Sequence, residues 1–248
     1  MPSPLFTLQN VCQQFGQFLA LSDINLQIYP GERVALVGSS GAGKSTLLRL
    51  LNGTLHPTQG EIWAMERNLQ DLNARSLRQI QRQIGTIYQQ LHLVDNLRVI
   101  HNVNAGHLGR WSFLKALVSL IVPLEVKTAT QALAQVGIPE KLYERTDRLS
   151  GGQQQRVAIA RVLVQDPLVI LADEPIASLD PALSRDVMDL LKNLSQPPRT
   201  LIVSLHDVDF ARSHCDRMIG LRQGRILFDA SPDLVSPQMM VDLYRLEP

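Results

Sequence analysis

Short apolar runs alternate with amphipathic stretches along this chain, and turn residues punctuate them. Leu5 to Val11 reads as a strand, and Ile24, Leu26 and Ile28 alternate with polar neighbours at the period of a half-buried strand. Pro30-Gly31 marks a turn. Val34-Ala35-Leu36-Val37 is a continuous apolar run, as expected of a strand covered on both faces. Gly38 to Ser45 leads into a helix predicted through Leu51 and stopped at Asn52-Gly53. Ile84 to Tyr88 is a further strand. From about Gln90 to Gln165 the texture is helix-forming, with Val126 to Val136 ending at Gly137 and a run after Gly151-Gly152 reaching Val164. Strand signals return at Leu168 to Ala172 and Thr200 to Leu205, then at Met218 to Leu221 and Arg225 to Phe228 on either side of a Gln223-Gly224 turn. Pro181 to Leu194 reads as a helix, with Asp180 as N-cap and Pro181 at the first helical position. The tail from Ser231 to Pro248 is expected to form one helix, without a separate regulatory domain. Strands alternating with helices predict an α/β domain interrupted by a mostly helical insert.

Composition narrows the class. At 248 residues, 45% of them hydrophobic, the chain can bury a substantial core. Lys plus Arg number 24 against 23 Asp plus Glu, a net charge of +1, so no basic excess points to nucleic acid as a partner. Cys12 and Cys215 lie far apart without metal-ligand spacing, which fits reduced thiols in a cytoplasmic protein. Met1-Pro2-Ser3-Pro4 opens no secretory signal pattern. The apolar stretch from Trp111 to Leu124, broken by Ser112, Lys115, Ser119 and Pro123, is shorter than the roughly 20 apolar residues a spanning helix needs. It is expected to be a covered helix, buried or lying in a groove.

Two segments carry the first chemistry. Gly38-Ser39-Ser40-Gly41-Ala42-Gly43-Lys44-Ser45 fits the phosphate-binding loop G-x-x-x-x-G-K-[ST], between a strand and a helix as that motif requires. Its glycines let successive N–H groups turn inward on phosphate oxygens, and the helix that follows adds the positive end of its dipole. Lys44 is expected to reach the β- and γ-phosphates and Ser45 to ligate Mg²⁺, with Thr46 following in the nucleotide-binding stretch. Leu168 to Ala172 then ends in Asp173-Glu174 at the sheet edge where ligands bind in such folds. Two acids after an apolar run are by themselves an ordinary strand end. Beside a phosphate loop they read as a metal ligand, Asp173, and a group that polarises the attacking water, Glu174.

Leu149-Ser150-Gly151-Gly152-Gln153 precedes the helical run through Arg156 and Arg161, and a serine with two glycines at a helix start is a second anion site. With this pentapeptide the chain strongly resembles the ABC-type ATPases, the ATP-binding subunits of ABC transporters, over roughly Leu5 to Phe228 with the elements in family order. The resemblance implies a P-loop NTPase (RecA-like) core with an N-terminal antiparallel β subdomain and an inserted helical subdomain. As one ATPase domain over 1–248, the core with its β subdomain would take about 1–89 and 166–248, and the helical subdomain about 90–165. It implies a head-to-tail dimer in which Ser150, Gly151, Gly152 and Gln153 of one copy face ATP held by the other. Gln89 then matches the glutamine that senses Mg²⁺ and water, Asp180 the aspartate loop at the dimer seam, and His206 the histidine that contacts the γ-phosphate. Phe15 matches the aromatic that stacks on adenine, where the family usually has Tyr.

Subfamily flavour comes from Asn102 to Trp111, Ala172 to Pro181, Ser204 to Arg212 and Gly220 to Ile226, which are most similar to ATPase subunits of phosphonate importers. That resemblance implies two membrane permease subunits, an external substrate-binding protein and a peripheral position on the cytoplasmic face of the cell membrane. The insert from Gln89 to Leu120 would be the docking surface for a permease helix. Phosphonate, phosphite and phosphate all stay open as cargo, because the ATPase does not touch it. An exporter ATPase shares every catalytic motif; a non-transport mechanical ABC-type ATPase is a further alternative, though such proteins usually bring coiled coils, zinc motifs or two fused ATPase domains; a small-molecule kinase would have no use for Leu149 to Gln153.

Overall fold

The computed structural model describes residues 3–245. A hairpin of β1 (Phe6–Phe15) and β2 (Phe18–Ile28) opens the chain, followed by β3 (Arg33–Val37), α1 (Lys44–Leu51), β4 (Gln59–Ala64), β5 (Arg67–Asn68), α2 (Ala74–Gln81) and β6 (Ile84–Ile87). Four helices then run in succession: α3 (Val99–Asn104), α4 (Phe113–Ile121), α5 (Val126–Gln135) and α6 (Gly151–Gln165). The chain closes with β7 (Val169–Asp173), α7 (Pro181–Leu194), β8 (Thr200–Leu205), α8 (Val208–His214), β9 (Arg217–Arg222), β10 (Arg225–Ala230) and α9 (Pro237–Tyr244). The architecture is the expected α/β P-loop core with an antiparallel β layer and a helical insert.

Two sheets share the work. One has the order β2-β1-β4-β5 and is antiparallel throughout; the other has the order β10-β9-β3-β8-β7-β6. In the second, β6, β7, β8, β3 and β9 run parallel, and only the β9–β10 hairpin is antiparallel. Parallel strands need cover on both faces, and β3 shows how it is supplied. Val34 and Leu36 join the core built on α1 and the antiparallel sheet, with Leu8, Ile24, Leu47 and Ile62. Ala35 and Val37 join the opposite core, with Val99, Leu133, Val157 and Met188 from the helices. The continuous apolar run is therefore two alternating faces, each against a different layer.

Register aligns the strand ends. Ile87 lies opposite Ala172, Ala172 opposite Val203, Asp173 opposite Ser204, and Val37 opposite Leu205. The loops after β6, β7, β8 and β3 thus leave the sheet at one edge.

Several parts of the chain differ from the sequence expectation, among them β2, which starts at Phe18, and the unexpected α8. β4, β5 and α2 fill a region that shows no strong periodicity, because of their residues only Ile62, Ala64 and Ile80 are buried. β1 is longer than expected, since a bulge with Asn10 in the left-handed region (φ 49°) shifts register between Leu8 and Val11 and breaks the alternation. The covered helix expected between Trp111 and Leu124 is corrected: Phe113 is 80%, Leu114 72% and Ile121 82% exposed. The apolar face of α4 points to solvent, and among the described residues no helix is long and apolar enough to cross a membrane. Cys12 and Cys215 are both free thiols, and burial pushes the Cys215 thiol up to about 12.

Because Leu36 is fully buried between the two layers, Leu36→Ala should destabilise the chain by about 2–5 kcal/mol. A shift of the urea midpoint with unchanged m-value measures it.

Candidate active site

The phosphate loop is built from backbone that only glycine adopts comfortably. Gly38 has φ 152° and Gly43 φ 105°. A Cβ on Gly38 would stand 2.2 Å from the Leu221 carbonyl oxygen, and one on Gly43 2.6 Å from Leu21 Cδ2. β9 and β2 therefore press on the loop from outside, which leaves Ser39, Ser40 and Gly41 exposed while Ala42 is buried. Lys44, at the start of α1, is 4% exposed; its Nζ donates to Gly38 O at 2.8 Å and Ser39 O at 3.1 Å. Burial lowers its pKa from the usual lysine value, opposed by Glu174 and Asp173.

Next to it, Ser45 Oγ donates to Asp173 Oδ1 at 3.0 Å, and Thr46 is half-buried. The same carboxylate oxygen accepts from Ser204 Oγ at 2.7 Å, and Ser204 Oγ accepts from the Glu174 amide at 2.8 Å. Glu174 leaves β7 in the left-handed region, φ 47°, which swings its side chain away from that of Asp173. Its carboxylate meets His206 Nε2 at 2.5 Å, Gln89 Nε2 at 3.2 Å and Lys44 Nζ at 4.0 Å. Residues from the ends of β3, β6, β7 and β8 form one contact network.

The remaining expected site residues lie in other settings. Ser150 and Gln153 form a reciprocal cap at the start of α6: Gln153 N donates to Ser150 Oγ at 3.3 Å and Ser150 N to Gln153 Oε1 at 3.0 Å. Ser150 and Gly151 are exposed, while Gly152 packs so close to α7 that a Cβ there would meet Leu183 Cδ1 at 3.1 Å. Asp180 caps α7, its Oδ1 accepting from the Ala182 and Leu183 amides at 3.0 Å each. Phe15 is 43% exposed at the tip of the β1–β2 hairpin, paired with Phe18. Sequence reasoning missed Ser204, a fully buried hydroxyl at the end of an apolar strand with no motif to flag it.

Chemically, the network offers a buried cation, a hydroxyl beside a carboxylate, and a second carboxylate bearing an imidazole and an amide. Ser45 Oγ and Asp173 Oδ1 are hard oxygen donors in contact, a pair that suits Mg²⁺ completed by phosphate oxygens. The fold and this site together define a P-loop nucleotide-binding domain.

The comparisons agree. The sequence profile described as "ABC transporter" matches residues 21–177. A "Phosphonates import ATP-binding protein PhnC" of Anaeromyxobacter dehalogenans is 45% identical over 243 residues, which are 98% of this chain and 49% of that protein. The chain thus spans about half the length of that relative, but 87% of "Phosphonates import ATP-binding protein PhnC 3" of Halalkalibacterium halodurans, 45% identical over 90% of this chain. Among solved structures, "Dimeric Structure of MJ0796, a Bacterial ABC Transporter Cassette" superposes with TM-score 0.80 at 33% identity, covering 92% of this chain and 98% of that one. The chain belongs to the ABC transporter family.

Ser204→Ala removes a donor from Asp173 and the acceptor of the Glu174 amide. It should destabilise the chain by about 1–3 kcal/mol, read by thermal unfolding, and lower ATP turnover in the same preparation.

Proposed function

We propose that this chain is the ATP-hydrolysing subunit of an ABC importer for phosphonate or a related phosphorus oxyanion. The observation that carries the ATPase reading is the Glu174 carboxylate, joined to His206, Gln89 and Lys44 from three other strand ends. The cargo reading is supported by relatives named phosphonate import proteins at 40–47% identity.

In this reading the phosphate loop, Gly38 to Ser45, and Thr46 bind the triphosphate, and Lys44 supplies positive charge toward the β- and γ-phosphates. Phe15 presents a π-face to adenine. Ser45 and Asp173, with Gln89 nearby, would hold Mg²⁺, which when bound neutralises charge on the phosphates. Glu174 polarises the attacking water, and His206, in contact with it, orients that carboxylate and reaches the γ-phosphate. Little covalent chemistry is asked of the protein; positioning and charge stabilisation do most of the catalysis.

Ser150 to Gln153 and Asp180 act across a dimer seam. Their exposed serine and glycine backbone would close on ATP held by a second copy, so nucleotide binding draws two copies together and hydrolysis releases them. The chain would form one ATPase domain: core and β subdomain at about 1–89 and 166–248, helical subdomain at about 90–165. Two permease subunits would seat this dimer on the cytoplasmic face of the cell membrane and link it to an external binding protein. The exposed face of α4 supports docking on the helical insert better than a covered core does.

Glu174→Gln should retain ATP binding and accumulate a closed dimer while turnover falls at least about tenfold, a barrier rise of ~1.4 kcal/mol or more; an unchanged steady-state ATPase rate would overturn the role. Leu114→Ala, at a side chain 72% exposed, should keep the basal ATPase rate and weaken assembly with the permease subunits in a co-purification assay. Assembly at the wild-type level would count against docking through α4.

A further inference from the structure

Arg161 lies on α6 about three helical turns beyond Ser150. Its guanidinium donates to two neighbouring backbone carbonyls, Nη1 to His92 O and Nη2 to Leu91 O, each at 2.7 Å. Those two residues take successive left-handed conformations, φ 44° and 47°, which non-glycine residues rarely adopt. The bend begins two residues after Gln89. The Leu91 amide donates to Tyr88 O at 3.0 Å, and the Tyr88 and His92 rings lie with centroids 4.6 Å apart. Gln89 therefore sits on a short span fixed at one end by β6 and at the other by this clamped bend.

The clamp suits arginine. A planar fork with fixed donors can satisfy two adjacent carbonyls at once, which a lysine ammonium on a flexible stem does less well. Among the described residues no carboxylate lies within ion-pair distance of Arg161. Burial lowers its pKa from the usual arginine value, with Tyr88 opposing. A half-buried cation spent on backbone carbonyls serves to fix their geometry.

We propose that Arg161 is a positioning residue for Gln89: it holds the Leu91–His92 bend so that the Gln89 amide meets Glu174, and it ties that bend to the helix whose start carries Ser150 and Gly152. The inference rests on the reading of Gln89 as part of the catalytic network. Its consequence is mechanical. A shift of α6, at whose N-terminus the partner's nucleotide would act, pulls on the bend and changes the reach of Gln89. Gly106 tightens the same junction, because a Cβ there would stand 2.2 Å from the Arg161 carbonyl oxygen.

The test uses the full chain with Arg161→Lys, Arg161→Gln, Gln89→Ala and the Arg161→Gln/Gln89→Ala double variant. Both Arg161 variants should lose about fivefold or more in kcat while KM for ATP stays within about twofold. Hydrogen exchange of amides 88–97 should speed up about tenfold in both, with exchange in β7 and β8 unchanged. Gln89→Ala should lower kcat alone, and adding Arg161→Gln should lower it by less than about twofold more, because both changes disable one unit. Wild-type kcat in the two Arg161 variants, unchanged exchange at 88–97, or losses that multiply in the double variant would each overturn the positioning role. Should Gln89→Ala keep wild-type kcat while Glu174→Gln does not, the reading of Gln89 fails and takes this inference with it. Full activity in the Arg161 variants beside an impaired Gln89→Ala overturns the inference and leaves that reading standing.

Discussion

The Glu174 carboxylate is the point on which the rest of the site depends. Its side chain is only 16% exposed, and a carboxylate withdrawn from water is costly unless charge and hydrogen bonds compensate it. Here compensation comes from Lys44 at 4.0 Å, His206 at 2.5 Å and Gln89 at 3.2 Å, three side chains that follow three separate strands. None of these segments can be placed independently. The left-handed turn at Glu174 and the Ser204 hydroxyl that accepts its amide fix where the carboxylate points. The same hydroxyl donates to Asp173 and so ties down both neighbouring acids.

That arrangement is possible because the parallel sheet sets its own edge. With Ala172 between Ile87 and Val203, and Val37 beside Leu205, a one-residue slip in any pair would move a site residue by more than 3 Å and exchange its buried face. The two apolar cores resist such slips, since alternate residues of β3 lock into different layers. Packing far from the nucleotide site thus decides whether Lys44, Gln89, Glu174 and His206 meet.

Much of this was legible in the chain. Continuous apolar runs announce β3, β7 and β8, and the phosphate loop and carboxylate pair announce a nucleotide site. The antiparallel layer was legible chiefly through family resemblance, because its periodicity is interrupted by the bulge at Asn10 and by half-exposed polar strands such as Gln59–Ala64. α4 was misread for a physical reason: a sequence reports that Phe113, Leu114 and Ile121 are apolar, but not what covers them. Ser204 was invisible for the opposite reason. A small hydroxyl in the apolar run Thr200–Leu205 passes for a tolerated core residue until its partners at Asp173 and Glu174 are located in space.

Two surfaces of the chain are the ones that the proposed partners would cover. Soluble monomers rarely expose a large contiguous apolar patch, yet Phe113, Leu114, Leu117, Val118, Ile121 and Val122 are each about half exposed or more along α4. The start of α6 likewise spends its capping box on itself and leaves Ser150 and Gly151 facing outward. In the proposed assembly the first surface meets a permease and the second meets nucleotide on another copy. α6 and the bend held by Arg161 then lie between them, the guanidinium joined to the Leu91 and His92 carbonyls at 2.7 Å just beyond Gln89. In that reading a single chain carries the proposed catalytic side chains Lys44, Gln89, Glu174 and His206, while the forces that would open and close the site would enter from outside.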